Sequence, residues 1–310
     1  MDQNPSSHLL ALPVELVALI VSDAGQLDPL KLLRITHISR RFRDMMGSTP
    51  TFWNRIDATI DYDARLSFDK VLNSISHAIQ HSGTLPLSLT LTLKNDIDWS
   101  NDELPRLAGL LFTNGHRWAK IHVVFAYEVP NSMILHALTQ HLDRLRSRGG
   151  GTTPFTSLTA VEVTALGSHY GVGFPRARAL SRLFPNLREL SWVNRGSYAS
   201  AYPFKFPNEL SFPNLEKLTL EGHFLSAMRF LDSDVLARLP ALKDLIIVSS
   251  GFYFDCAPRS PTLIEVHASL ESVVVCAPDV GLSLVQSRVD ALSEFCPSLR
   301  AVERVLIAQN

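Results

Sequence analysis

The sequence predicts an α/β chain in which short parallel strands alternate with helices, behind a small helical N-terminal segment. Three observations carry that expectation. A phrase close to P-x-L-x-x-L-x-x-x recurs through the second half of the chain. Stretches with apolar residues at helical spacing lie between the recurrences. Residues 12 to 56 hold short apolar-periodic runs in a segment too small to bury a comfortable core alone.

The recurring segments are FTSLTAVEVTA at 155, FPNLRELSWVN at 184, FPNLEKLTLEG at 212, LPALKDLIIVS at 239, HASLESVVVCA at 267 and CPSLRAVERVL at 296. Their leading leucines, Leu158, Leu187, Leu215, Leu242, Leu270 and Leu299, stand 29, 28, 27, 28 and 29 residues apart. Each unit supplies one strand, and the units must stack because none can bury its own apolar face. LPLSLTLTL at 85 and HRWAKIHVVFA at 116 read as degenerate first members, which makes about eight strands. LPRLAGLLFT, ILHALTQHLDRL, RALSRLF, SDVLARL and SLVQSRVDALSEF predict helices of an outer layer. Gly149-Gly150-Gly151 marks a loop before the regular members, and Arg304 stands where the last unit expects an inward aliphatic, the kind of departure terminal repeats show.

In the N-terminal segment, Pro13 can occupy the first turn of a helix, where its missing donor has no partner to lose, and Glu15 complements the positive helix end. Leu16, Leu19 and Ile20 fall at helical spacing, widened by Val14, Val17, Ala18 and Val21 into a stripe too apolar for a free surface. Asp28 before Pro29 predicts an N-cap with proline at N1, and Leu30, Leu33, Ile35 and Ile38 carry a second run. A third short helix is expected near Thr49-Pro50, holding Phe52, Trp53 and Ile56. By size alone this segment rests either on a partner chain or, as a cap, on the rest of its own.

Residues 12 to 56 resemble an F-box. The family's opening Leu-Pro is matched by Leu12-Pro13, its acidic-Leu pair by Glu15-Leu16, its next aliphatic by Ile20, its later Leu-Leu by Leu32-Leu33. Its Val-Cys-(Arg/Lys)-x-(Trp/Phe) signature appears as Ile38-Ser39-Arg40-Arg41-Phe42, with Ser39 in place of the frequent Cys and Phe42 in place of the commoner Trp. HSGTLPLSLTLTL at 81 is similar to the region after the F-box in the large mushroom-type fungal F-box families. The repeats, with their L-x-x-L-x-L pattern, resemble leucine-rich repeats, in which each unit adds a parallel strand and a helix or turn. The resemblances imply a flexible start over 1–8, an F-box over 9–56, a helical linker over 57–84 and a leucine-rich-repeat-like solenoid over 85–310. They also imply a function. An F-box docks a Skp-type adaptor, through it a cullin-RING ubiquitin ligase, while the repeats hold a protein substrate for ubiquitin-dependent degradation. Leu12, Pro13, Leu16, Ile20, Leu32, Leu33 and Phe42 are then the residues that form or support the adaptor face. The alternative is a non-degradative repeat scaffold.

Composition is that of an ordinary soluble chain with room for a sizeable core. At 310 residues, 46% apolar and a net charge of −1, the chain offers no bulk attraction to nucleic acid or membrane. The polar start MDQNPSSH has no signal-peptide pattern, so cytoplasm or nucleus is expected. Cys256, Cys276 and Cys296 are an odd set without C-x-x-C and read as reduced thiols. His77 and His81 share a helix face as zinc ligands would, yet no Glu follows His77 and no third ligand is evident, so they read as surface histidines. His136 and His141 are five apart, which separates the rings around a helix. Gly171-Val172-Gly173 lacks the third glycine of a dinucleotide loop, Gly149 to Gly151 lacks a following Lys-Ser/Thr, and no G-x-S-x-G occurs. No cofactor, no metal and no catalytic constellation is expected; the F-box resemblance implies that catalysis belongs to other subunits.

Two surfaces are candidates for substrate. Strand alternation turns Leu190, Trp192, Leu218, Leu220, Leu245 and Ile247 inward and leaves Ser191, Val193, Thr219, Glu221, Ile246, Val248, Val274 and Cys276 on the concave face, where the last two pairs, Ile246 with Val248 and Val274 with Cys276, are apolar. That stripe is either a binding site or the seat of a loop or tail. The connections NRGSYASAYPFKFPNELSF and SGFYFDCAPRSPTLIEVH lack helical pattern and gather Tyr198, Tyr202, Phe204, Phe206, Phe252, Tyr253 and Phe254 at one rim. Those aromatics are either interface anchors or satellite core under the loops.

Overall fold

A nine-stranded, all-parallel sheet in simple chain order organises the protein. The computed structural model describes residues 12–13, 16–17, 29–37, 39–61, 68–94, 103–126, 144, 155–166, 181–194, 212–222, 236, 238–249, 269–277, 296 and 298–306. The strands are β1 (Arg55–Asp61), β2 (Leu87–Lys94), β3 (Trp118–Phe125), β4 (Ala160–Ala165), β5 (Glu189–Asn194), β6 (Lys217–Gly222), β7 (Asp244–Ser249), β8 (Ser272–Ala277) and β9 (Ala301–Leu306). Each pairs with the next, so every connection returns to the same end of the sheet. Among the described residues the full helices are α1 (Pro29–Thr36), α2 (Arg40–Ser48), α3 (Phe68–His81) and α4 (Glu103–Thr113).

The sheet begins earlier than the repeats suggest. About eight strands were expected from residue 85 onward, whereas β1 already runs over Arg55–Asp61. The stretch 57–84, expected to be a helical linker, holds the rest of β1 and then α3. RIDATID carries no repeat phrase, but Ile56, Ala58 and Ile60 alternate with Asp57, Thr59 and Asp61, and the apolar set is buried. The third short helix near Thr49-Pro50 is a single 3₁₀ turn, Pro50–Phe52, and Arg40–Ser48 forms a helix of its own. Ser39 explains that division: its Oγ accepts from Phe42 N at 3.1 Å, a capping bond that starts α2.

One side of the sheet is the core. The register row Ile56, Leu89, Ile121, Val161, Leu190, Leu218, Leu245, Val273 crosses eight strands, and every member is buried. The expected inward residues Leu190, Trp192, Leu218, Leu220, Leu245 and Ile247 are all buried in the core. Register places Arg304 beside Val275. The helices close the N-terminal end of this core. Val17, Leu32, Phe42, Met45, Met46 and Trp53 belong to the same buried cluster as the strands, and α1 packs against α2, α3 and β1.

From β4 onward one turn is used again and again. The amides of Leu158, Leu187, Leu215, Leu242 and Leu299 donate to the carbonyls of Phe155, Phe184, Phe212, Leu239 and Cys296, three residues earlier in each case. Asn186 and Asn214 donate side-chain bonds of 2.8 and 3.0 Å to the preceding turn at Thr156 and Pro185, and Ser269 does the same to Pro240 at 2.8 Å. Phe155 stacks edge-to-face with Phe112 and Phe184, so the turns also share an aromatic spine. Just past the leading leucines from Leu187 onward the charges alternate. Arg188 and Lys243 flank Glu216 at 3.3 and 3.0 Å, and Glu271 and Arg300 continue the order in sequence.

Candidate functional site

The N-terminal helices present the first candidate surface. The amides of Leu16 and Val17 donate to Pro13 O at 3.1 Å, so a helical turn does start at the proline. Val17 points into the core and Leu16, on the other side, is 46% exposed. Pro13 is also exposed. The start of this turn is held from α2, where the Arg41 guanidinium donates to Leu12 O.

The matched residues therefore divide. Pro13 and Leu16 face solvent; Leu12 and Leu33 are half-buried against the core; Leu32 and Phe42 are buried within it. Ile20 lies outside the described residues. Leu32 and Phe42 can position the surface but offer no atoms to a partner.

Trp53 supports the segment from below. Its Nε1 donates to Met46 O at 2.7 Å, and its ring meets His77 and His81 at 5.2 and 5.3 Å. The two imidazoles sit 4.2 Å apart. Burial, then the neighbouring His81, holds His77 below the usual imidazole value. Sequence spacing placed these histidines on one face but not against an indole. Among the described residues no group of three or more His, Cys, Asp or Glu is placed to hold a metal ion, and no helix is long and apolar enough to cross a membrane.

The open side of the sheet is the second candidate. Along its middle, one register row reads Asp57, Thr90, His122, Glu162, Ser191, Thr219, Ile246, Val274, Glu303, and the next reads Thr59, Thr92, Val124, Thr164, Val193, Glu221, Val248, Cys276, Val305. Of the residues expected there, Ser191, Thr219, Glu221, Ile246, Val248 and Val274 are half-exposed. Val193 departs from the expectation: at 7% exposure it is buried between its neighbours. The Cys276 side chain is outside the described set. So are Tyr198, Tyr202, Phe204, Phe206, Phe252, Tyr253 and Phe254, together with Cys256, His136, His141 and both glycine-rich stretches.

A polar cluster on this face escaped the sequence reading. His122 Nε2 lies 3.1 Å from Thr164 Oγ1 and 3.6 Å from Glu162 Oε1, and Lys120 reaches Glu162 at 3.6 Å. Burial pulls His122 below its usual value; Glu162 opposes that shift, Lys120 adds to it, and Asp57 opposes it. Asp57 Oδ2 is shielded from water with no hydrogen-bond donor, an arrangement that costs about 1–3 kcal/mol when left unrelieved. The signal was in the strand alternation of DATID, IHVVF and VEVTA, once their register is known. Cys296 is a buried free thiol, pushed up by burial and so poorly suited to nucleophilic use.

Comparison of the chain with protein-family models finds no matching family, and comparison with curated proteins finds no match.

Proposed function

We propose that the chain is a recruitment subunit of a Skp-cullin-F-box ubiquitin ligase, working in cytoplasm or nucleus without chemistry of its own. In this reading the N-terminal helices are an F-box that docks a Skp-type adaptor and, through it, a cullin, and the parallel array is a leucine-rich-repeat-like solenoid that holds a protein substrate. The observation that carries it is Leu16: a large aliphatic, 46% exposed, on a turn that begins at Pro13 and is tied down by Arg41. Leu16 and the neighbouring exposed Pro13 support the reading as apolar groups held at the surface, where a partner can cover them. Proximity of substrate to the ligase is then the whole contribution of this subunit.

Co-purification of the full chain with a Skp-type adaptor tests the proposal. Wild type is expected to bind. Leu16→Asp, which alters an exposed position, is expected to abolish binding while leaving the melting curve unchanged. Equal binding by both, or none by wild type, overturns it.

A second reading has its own observation. Leu32 and Phe42 are buried in the core shared with the sheet, as a structural cap requires. In that case the chain is a non-degradative scaffold, and Leu16→Asp leaves every partner interaction intact.

A further inference from the structure

The C-terminal end of α3 carries chemistry that recruitment of a substrate does not use. His77 and His81 stand one helical turn apart, at the i and i+4 spacing that lets two side chains meet. Both are half-exposed, so solvent reaches them. Their ring centroids are 4.2 Å apart, with the planes inclined at 42°. Trp53 backs the pair: its indole meets His77 edge-on at 5.2 Å and lies tilted by 37° to His81 at 5.3 Å. The indole is itself fixed, since it is fully buried and bonded through Nε1 to Met46 O. Among the described residues no hydrogen bond or ion pair occupies a ring nitrogen of either histidine.

We propose that His77 and His81 chelate one divalent metal ion of tetragonal preference, Cu(II) or Ni(II), whose remaining positions are filled by water. The ring separation selects that geometry. An imidazole nitrogen binds such an ion at about 2.0–2.1 Å, which sets the ion about 3.2 Å from the ring centroid. Two imidazoles at about 90° around the ion then have centroids about 4.5 Å apart, and two at the tetrahedral angle about 5.2 Å. The observed 4.2 Å lies within a few tenths of an ångström of the first arrangement and about an ångström short of the second. Square-planar and tetragonal sites with nitrogen and oxygen ligands suit Cu(II) and Ni(II), whereas zinc takes the tetrahedral arrangement. Rotation about the soft second side-chain torsion of each histidine turns one nitrogen of each ring toward the shared point. The wall formed by Trp53 keeps the rings side by side as they turn. With two protein ligands the site is open and reversible, unlike the closed four-ligand centres that hold structural zinc.

Calorimetric titration of the full chain with copper(II) chloride at about pH 7.5, where an ordinary imidazole is neutral, tests the proposal. The chain has 11 histidines, so the His77→Gln, His81→Gln double variant sets the background. Wild type is expected to bind one more equivalent of Cu(II) than that variant. Each single variant is expected to hold this ion about tenfold more weakly or worse, and Ni(II) and Zn(II) are expected to bind wild type less tightly than Cu(II) does. Electron paramagnetic resonance of the bound Cu(II) should show coupling to two imidazole nitrogens. Because the ion binds only the folded helix, it should also raise the melting temperature of wild type and not of the double variant. Equal binding by wild type and the double variant, a loss that follows only one of the two histidines, or Zn(II) held as tightly as Cu(II) overturns the proposal. A second measurement needs no variant. Ni(II) is expected to shield His77 and His81 of wild type from diethyl pyrocarbonate, read by mass spectrometry, while the exposed His37 and His116 are labelled as before. Equal labelling of all four with and without Ni(II) overturns the proposal even where a variant fails to fold.

Discussion

The N-terminal end of the molecule and the array from β4 onward solve the same problem by different means. Both must hold parallel strands that arrive one after another from solvent. At the N-terminal end each junction is unique. Trp53 Nε1 binds Met46 O beside β1, Trp118 Nε1 binds Leu111 O at the start of β3, and the Arg117 guanidinium gathers Ile79 O, Ser82 Oγ and Leu85 O around the end of α3. That end of α3 also needs Gly83, whose φ of 58° is left-handed. From β4 onward one turn, one asparagine or serine bond and one charged position recur. Large single anchors concentrate stability, whereas a repeated device spreads it over equivalent small contributions.

The first way to sharpen that contrast is Trp53→Ala. It removes a fully buried indole, its bond to Met46 and its contacts with both histidines, and should cost about 3–5 kcal/mol in denaturant unfolding. Far smaller losses are expected in the array. Asn214→Ala should cost about 0.5–1.5 kcal/mol, and Asn186→Ala should match it closely, because the two amides make the same bond one repeat apart. Unequal costs there would break the idea of equivalent devices. The smallest effect is a pH slope. His77 titrates below its usual value in the folded chain, so the unfolded chain binds more protons as pH falls past about 6.5. Stability contributed by neutral His77 is full above that pH and declines below it as the folded value is approached. Melting temperature from pH 7.5 to 5 should fall more steeply in wild type than in His77→Gln.

Legibility in the sequence followed the same division. The array was readable because its side chains repeat: Leu158, Leu187, Leu215 and Leu242 announce their turns, and the alternation after them gives both faces of each strand. β1 was missed because RIDATID has no companion phrase, so only its pairing with β2 reveals it as a strand. The break between α1 and α2 turns on one hydroxyl, Ser39, which the motif comparison treated as a substituted cysteine and not as a cap. At the candidate sites, Ile246 and Val248 were placed correctly by alternation, while Leu32 and Phe42 were matched by motif but lie inside. The Asp57, His122 and Glu162 cluster could not be read from any one strand. It joins residues 65 and 40 positions apart in sequence, and it exists only in the register of β1 to β4.

Under the recruitment proposal the two regions divide the labour: the uniquely built end takes one fixed partner, the repeated face a variable one. Hydrogen exchange of the full chain, with and without a Skp-type adaptor, tests that assignment most directly. Protection is predicted at residues 12–17 and along α1 and α2, with the strands β6 to β8 unchanged. Protection centred on β6 to β8, or none anywhere, would contradict it.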